Sequence, residues 1–242
     1  FQILRIDQNE PKTLKKMGEL QFKKGNLKNA INYFAKCLKL GQGDIDIYLD
    51  IASIFKSLGN YQKTLAAIRN ALKIEPNNQI ALKEGAEVYL QTEHYDEAII
   101  IYERFIKEDD KNIEYYKILG SIYMFQKKWE EALNIFKSAN KIESDDLGIL
   151  NNIALCYFKL EKYKTSIKIF KFVIKKTPDD FEVYTNLGNV YMKLGQLHEA
   201  LQCYLKALRY SPNNLKLLSV VGIVYDDMGK SKEAIDIFKK IL

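Results

Sequence analysis

Apolar residues recur along this chain at three- and four-residue steps, in short runs broken by polar turns, which is the spacing of amphipathic helices. The run from Tyr184 to Leu194 places Tyr184, Leu187, Gly188 and Tyr191 on one stripe. The run from Glu199 to Tyr210 places Ala200, Leu201, Tyr204, Ala207 and Leu208 on another. Gly195-Gln196 lies between them as a helix stop. Ser211-Pro212-Asn213-Asn214 follows as a turn whose proline cannot continue a helix. The pattern predicts two antiparallel helices of roughly 12 to 14 residues each.

The same unit repeats. Small residues stand twelve positions apart as Gly18 and Ala30, Ala52 and Thr64, Ala86 and Ala98, Gly120 and Ala132, Ala154 and Ser166, Gly188 and Ala200, and Gly222 and Ala234, and each pair lies 34 residues after the last. Tyr or Phe recurs at Phe55, Tyr89, Tyr123, Tyr157, Tyr191 and Tyr225, and a large apolar side chain at Phe34, Ile68, Tyr102, Phe136, Phe170, Tyr204 and Phe238. No insertion or deletion breaks the register from residue 11 to residue 242. It divides the chain into residues 1–10, the remnant of a preceding second helix, then repeats at 11–44, 45–78, 79–112, 113–146, 147–180 and 181–214, and a seventh, shortened, at 215–242, all in one solenoid domain. The small column has a physical origin: helices approach closely only where a side chain is nearly absent. A large residue at Gly188 or Ala200 is expected to overpack the crossing at about 1–3 kcal/mol.

In its sixth copy the unit reads Tyr184, Leu187, Gly188, Tyr191, Ala200, Tyr204, Ala207 and Pro212. With its period, this resembles the tetratricopeptide repeat family, in the manner of its long superhelical arrays. The resemblance implies an all-α fold, a right-handed superhelical solenoid of antiparallel helix pairs. Both ends look raw, with no polar capping helix of the kind solenoids use, so the sequence is expected to be a piece of a longer array, and its uncapped ends leave end-to-end or groove-mediated self-association open. The third repeat is the least regular: Phe105 stands in the column of Ala71 and Ala139, Gly85 replaces a large residue, and Glu108 and Asp110 replace an apolar residue and the proline. Ordinary drift, with Phe105 filling volume that Gly85 vacates, and a local change of curvature are both open.

Composition narrows the function. Hydrophobic residues make up 47% of the chain, normal for a folded protein. Lys or Glu interrupts every apolar run, so no helix is expected to insert in a membrane, and Phe1 to Glu10 is no signal peptide as it stands. The net charge of +6 is carried by lysine; arginine occurs only as Arg5, Arg69, Arg104 and Arg209, too sparse for bidentate nucleic-acid contacts. Cys37, Cys156 and Cys203 lie far apart, which argues against a disulfide framework and fits a reducing, cytoplasmic setting. His94 and His198 fall near turns of different repeats with no further ligands, so no metal or other cofactor is expected. No nucleophile–base pairing or phosphate loop is present in the pattern, which argues against catalysis within this segment. Asp109-Asp110, Asp145-Asp146 and Asp179-Asp180 are expected to cap the following helices.

The family resemblance implies that first helices line the groove where partners bind. Those positions are mostly charged early on, with Lys12, Lys15, Lys16, Glu19, Asp46, Asp50, Lys83, Glu84 and Glu87. Later they turn apolar and amide-bearing: Ile118, Met124, Phe125, Asn151, Asn152, Leu155, Phe158, Asn186, Asn189, Met192, Val220 and Ile223. These twelve are the expected partner-binding residues, with Phe125 and Phe158 as anchors. Asn152 and Asn186 share a column, and an amide offers both donor and acceptor to an extended peptide. The carboxylate clamp of chaperone-binding family members is not matched: Lys15 is followed by Glu19, Asp50 and Glu84, and Lys117 by Ser121, Asn152 and Asn186 with no closing base. The expected role is a protein-interaction scaffold or adaptor holding a protein or peptide. The alternative is the substrate-recognition arm of a larger enzyme, such as an O-linked glycosyltransferase.

Overall fold

A computed structural model describes residues 10–241, and among them it contains fourteen α-helices and no strand. The first helices of the hairpins are α1 (Pro11–Lys23), α3 (Ile45–Ser57), α5 (Gln79–Gln91), α7 (Ile113–Phe125), α9 (Leu147–Lys159), α11 (Phe181–Lys193) and α13 (Leu215–Asp227). The second helices are α2 (Leu27–Lys39), α4 (Tyr61–Ile74), α6 (Tyr95–Glu108), α8 (Trp129–Ile142), α10 (Tyr163–Lys176), α12 (Leu197–Tyr210) and α14 (Ser231–Lys239). Every helix starts 34 residues after its counterpart. The expectation for residues 1–10 lies, up to residue 9, outside the described residues.

In the sixth repeat both helices begin three residues before the first apolar-stripe positions, Tyr184 and Ala200, at Phe181 and Leu197. For α11 the cap, rather than the stripe, sets the start; Gln196 before α12 makes no side-chain capping bond. Asp180 accepts hydrogen bonds from the N–H groups of Glu182 and Val183, satisfying donors that the first turn leaves open. Asp44, Asn78, Asn112, Asp146 and Asn214 cap their first helices in the same way. Of the acid pairs, Asp146 and Asp180 are therefore caps. In the third repeat Asn112 takes this role, and Asp109 instead accepts from the N–H of Lys111.

Two compact units divide at Arg104 and Phe105, within α6. In the first unit, Leu14, Ala30, Phe34, Cys37, Ile47 and Ile54 form one buried cluster, and Ala52, Ala67, Ile68, Ala71 and Ala81 another. In the second unit, a cluster around Phe136, Ile149, Ile153 and Cys156 serves the fourth and fifth repeats, and a larger one spans Ala154 to Val224. Within each unit, a second helix packs on its own first helix and on the first helix that follows, as α8 does on α7 and α9 and α12 on α11 and α13.

The crossing column behaves as its chemistry requires. A methyl group on Gly18, Gly120, Gly188 or Gly222 would stand 2.5–2.6 Å from the ring of Phe34, Phe136, Tyr204 or Phe238. Ser166, at a crossing position of α10, donates its hydroxyl to the Ala154 carbonyl at 2.8 Å, so a buried polar group is matched. Gly85 is different: its nearest neighbour would be Ile68 Cγ2 at 3.4 Å. Phe105 is buried, with its ring 5.1 Å from that of Tyr115 in the next repeat.

At the aromatic column the backbone carbonyls close the first helices, a role independent of the side chain and one that Gln21 fills in the first repeat. Gly195 takes φ 71° at the end of α11; its N–H donates to the Met192 carbonyl and the next N–H, of Gln196, reaches back to the Tyr191 carbonyl. This paired closure is the Schellman arrangement. Phe55, Tyr89, Tyr123, Tyr157 and Tyr225 accept the same long bond in their repeats. In the third, fourth and fifth repeats the left-handed position is held by Glu93, Lys127 and Glu161, at φ 58–60°.

Candidate functional site

All twelve expected partner-binding residues fall on α7, α9, α11 and α13 of the second unit. Phe125 and Ile223 are the most open, at 73% and 51% exposure. Ile118, Asn151, Asn152, Asn186 and Asn189 are half-buried. Met124 packs against the fourth- and fifth-repeat cluster, and Leu155, Phe158, Met192 and Val220 against the larger one. These side chains thus share their surface between the open first-helix face and the seams joining successive repeats. Phe158 in particular lies 6.1 Å from the Tyr163 ring, with the Lys159 ammonium 5.4 Å from its centroid. A Phe158→Ala change would therefore perturb packing along with any contact to a partner.

A cleft of about 320 Å³ opens between α11 and α13. Phe181, Leu217 and Val220 give it an apolar lining, and Thr185, Asn186, Asn189 and Asn214 a ring of polar groups, with Glu182 and Lys216 at its edge. Asn189 is held by the Tyr204 hydroxyl, which donates to its Oδ1 at 2.8 Å. Burial raises the Tyr204 phenol far above its usual pKa, so it remains a donor at every physiological pH. Asn186 Nδ2 approaches Asn151 Oδ1 at 3.5 Å across the seam. Thr185, Phe181 and Lys216 were not singled out from the sequence. Their one available signal is proximity to Asn186 and Val220 at helical spacing.

Upstream in the same unit, Lys117 Nζ bridges to Asp146 at 2.8 Å and to Glu114 at 3.1 Å. Burial alone would push the Asp146 carboxyl up. The Lys117 ammonium and the N–H groups of Ile149 and Gly148 outweigh burial and hold it below its ordinary pKa.

The first-helix face of the first unit is polar for a different reason. Lys15 binds Asp44 at 2.6 Å and Asp46 at 2.8 Å, Lys16 binds Glu19 at 2.8 Å, and Lys56 binds Glu87. Its charges largely neutralise one another. Asp50 and Glu84 depart from this: burial and neighbouring acids raise both carboxyls above the ordinary value, and Glu84 Oε2 is buried with no hydrogen-bond partner. The sign follows from the folded state holding the proton more tightly than the unfolded chain. The penalty exists at neutral pH and fades as pH falls through the folded pKa. Glu84→Gln should stabilise the protein at pH 7 by on the order of 0.5–1 kcal/mol, discounted because the side chain is partly open to water. Thermal melts should show the gain shrinking on acidification; a gain independent of pH would contradict the assignment.

Among the described residues no group of His, Cys, Asp and Glu has the arrangement to hold a metal ion, and no helix is long and apolar enough to cross a membrane. Burial pushes the Cys156 thiol up to about 12 and that of Cys203 to about 11, leaving little thiolate for reaction.

Comparison with known proteins agrees with this fold. Tetratricopeptide repeat models match residues 16–40, 55–122, 155–195 and 181–214, and a model described as anaphase-promoting complex, cyclosome, subunit 3 matches residues 91–173. The chain belongs to the tetratricopeptide repeat family. Its fold is similar to that of a tetratricopeptide repeat protein from Parabacteroides merdae, at 18% identity over 97% of this chain and 92% of that one, with a TM-score of 0.66. YrrB, described as having an unusual peptide-binding site, is 20% identical over 76% of this chain and 95% of its own, with a TM-score of 0.60. MamA from Desulfovibrio magneticus is 18% identical over 66% of this chain and 90% of its own, with a TM-score of 0.61. No curated protein sequence matches the chain.

Proposed function

We propose that the protein is an interaction scaffold whose second unit holds a peptide segment along α7, α9, α11 and α13. The observation that carries this reading is the cleft between α11 and α13, where Asn186, Asn189, Thr185 and Asn214 surround the apolar Phe181, Leu217 and Val220. An extended peptide presents N–H and C=O groups and a side chain in alternation. Amides satisfy both backbone groups, and an apolar floor accepts the side chain. Phe125 and Ile223, exposed at either end of the row, extend the contact beyond the cleft. The half-buried state of Leu155, Phe158, Met192 and Val220 favours a narrow ligand over a broad flat partner, since little of each is open to contact. The reading is of a binding protein with no chemistry of its own in this segment, working in the cytoplasm.

Selection from a random peptide library displayed on phage tests it. Peptides that bind the protein should lose about tenfold in affinity, or roughly 1.4 kcal/mol, when Phe125→Ala is combined with Asn186→Ala. Helicity by circular dichroism should be unchanged, because Phe125 is exposed and Asn186 is only half-buried. Failure to enrich any peptide, or undiminished binding by the double variant, would remove the groove from consideration.

A further inference from the structure

The segment from Lys159 to Lys176 holds seven lysines and one glutamate, a net +6, which equals the formal net charge of the entire chain. The rest of the sequence is balanced. Within α10 the charge is ordered. Lys164, Lys168, Lys171 and Lys175 follow i, i+4, i+7, i+11 spacing, so all four occupy one narrow stripe about 16 Å long. The opposite side of the helix is the buried one, through Ser166, Phe170 and Val173. All four stripe lysines are exposed, and Lys176 with them. No acidic residue occurs in α10, and none of its five lysines is in an ion pair among the described residues. Lys171 rests 5.9 Å from the Tyr191 ring and Lys176 5.9 Å from that of Phe172, contacts that leave the ammonium groups facing water. Phe172, beside the stripe, is 47% exposed.

A row of like charges this close repels itself and is relieved by an anionic partner. We propose that the exposed face of α10 docks an acidic protein segment, with carboxylates spaced along one helical or extended edge and an apolar side chain set against Phe172. The shape of the charge selects this partner. It is a line on one helix, and Glu161 just before α10 and Glu199, which shares a cleft with Lys171, border it with negative charge. A flat anionic bilayer would meet those acids along with the lysines. A nucleic-acid strand would call for guanidinium groups and a series of stacking rings, and this face offers lysines and one phenylalanine.

The test uses the whole chain and a labelled helix-forming peptide with glutamates at i, i+4, i+7 and i+11 and one leucine beside them, followed by fluorescence anisotropy. Binding should weaken steeply with added salt and fall about tenfold in K164Q/K168Q/K171Q/K175Q. The smaller K168Q/K171Q change should give an intermediate loss. Phe172→Ala should weaken this peptide and leave its leucine-free counterpart unaffected. K230Q/K232Q/K239Q/K240Q, which removes equal charge elsewhere, and the groove change Phe125→Ala should each alter affinity less than about twofold. The proposal is overturned by absence of binding, by equal losses in the two quadruple variants, or by tighter binding of a single-stranded oligonucleotide or phosphatidylserine vesicles than of the peptide.

Discussion

Gly188→Val should lower the stability of the second unit by about 3 kcal/mol, the upper end of the range for overpacking. The methyl position alone would lie 2.5 Å from Tyr204 Cε1, and Tyr204 is among the most fully buried large side chains of the described residues. The ring cannot swing away without breaking its hydrogen bond to Asn189 and leaving a polar atom unmatched inside the protein. Gly85→Ala is the counterpart. It occupies the middle of α5, and its added methyl would touch only Ile68 at 3.4 Å. Removing glycine from a helix interior should then stabilise by about 0.5–1 kcal/mol. Urea titrations of the two variants should move the midpoint in opposite directions. In the second repeat the column pairs a methyl with a smaller partner, Ala52 with Ile68, while in the third and fifth repeats Ala86 and Ala154 keep the large Tyr102 and Phe170. Gly188→Ala combined with Tyr204→Ile should accordingly recover part of what Gly188→Ala loses. A single Gly188→Val variant as stable as the parent would refute the close-approach account.

The triple change Glu93→Gly, Lys127→Gly and Glu161→Gly should raise stability by roughly 2 kcal/mol in total. Each residue holds a left-handed backbone at φ 58–60°, where an L side chain crowds the neighbouring carbonyl. Glycine removes that strain at about 1–2 kcal/mol per site, and its greater freedom in the unfolded chain takes part of this back. Gly25, Gly59, Gly195 and Gly229 already fill the equivalent turns at φ 68–77°. The changes touch separate turns with no shared partner, so their effects should add. Melting temperatures of the single, double and triple variants test this; a flat series would mean that the side chains make compensating contacts.

Much of the fold was legible because one constraint, the 34-residue register, is printed seven times. A chance resemblance in one copy is corrected by the others, which is how the crossing pairs such as Gly120 with Ala132 emerge without coordinates. Helix starts were legible less well, since Asp180 and Asn214 act through backbone N–H groups that hydrophobic spacing does not register. The candidate site was legible by column only in part. Columns placed Asn186, Asn189 and Val220 on the groove, where they line the cleft. They could not show that Phe158 and Leu155 spend much of their surface on the seam between repeats, because seam and groove are adjacent sectors of one helix. Nor could they show that Lys15, Lys56 and Lys16 have acidic partners, which depends on side chains meeting across the seam or along one turn.

The bridges from Lys15 to Asp44 and from Lys117 to Asp146 share a further property. In each, the carboxylate that caps one first helix is gripped by a lysine on the first helix before it. Start of one helix and integrity of its predecessor are thereby linked, which in a one-dimensional chain of repeats is a nearest-neighbour coupling constant. The equivalent lysine position holds Leu49, Asn151 and Thr185 before the caps Asn78, Asp180 and Asn214, so those junctions carry no such charge term. Coupling along the array is therefore graded. Junctions one-to-two and four-to-five should transmit fraying most strongly in dilute buffer and lose that advantage as counterions gather, so that salt changes how far a disturbance travels before it changes whether the protein is folded.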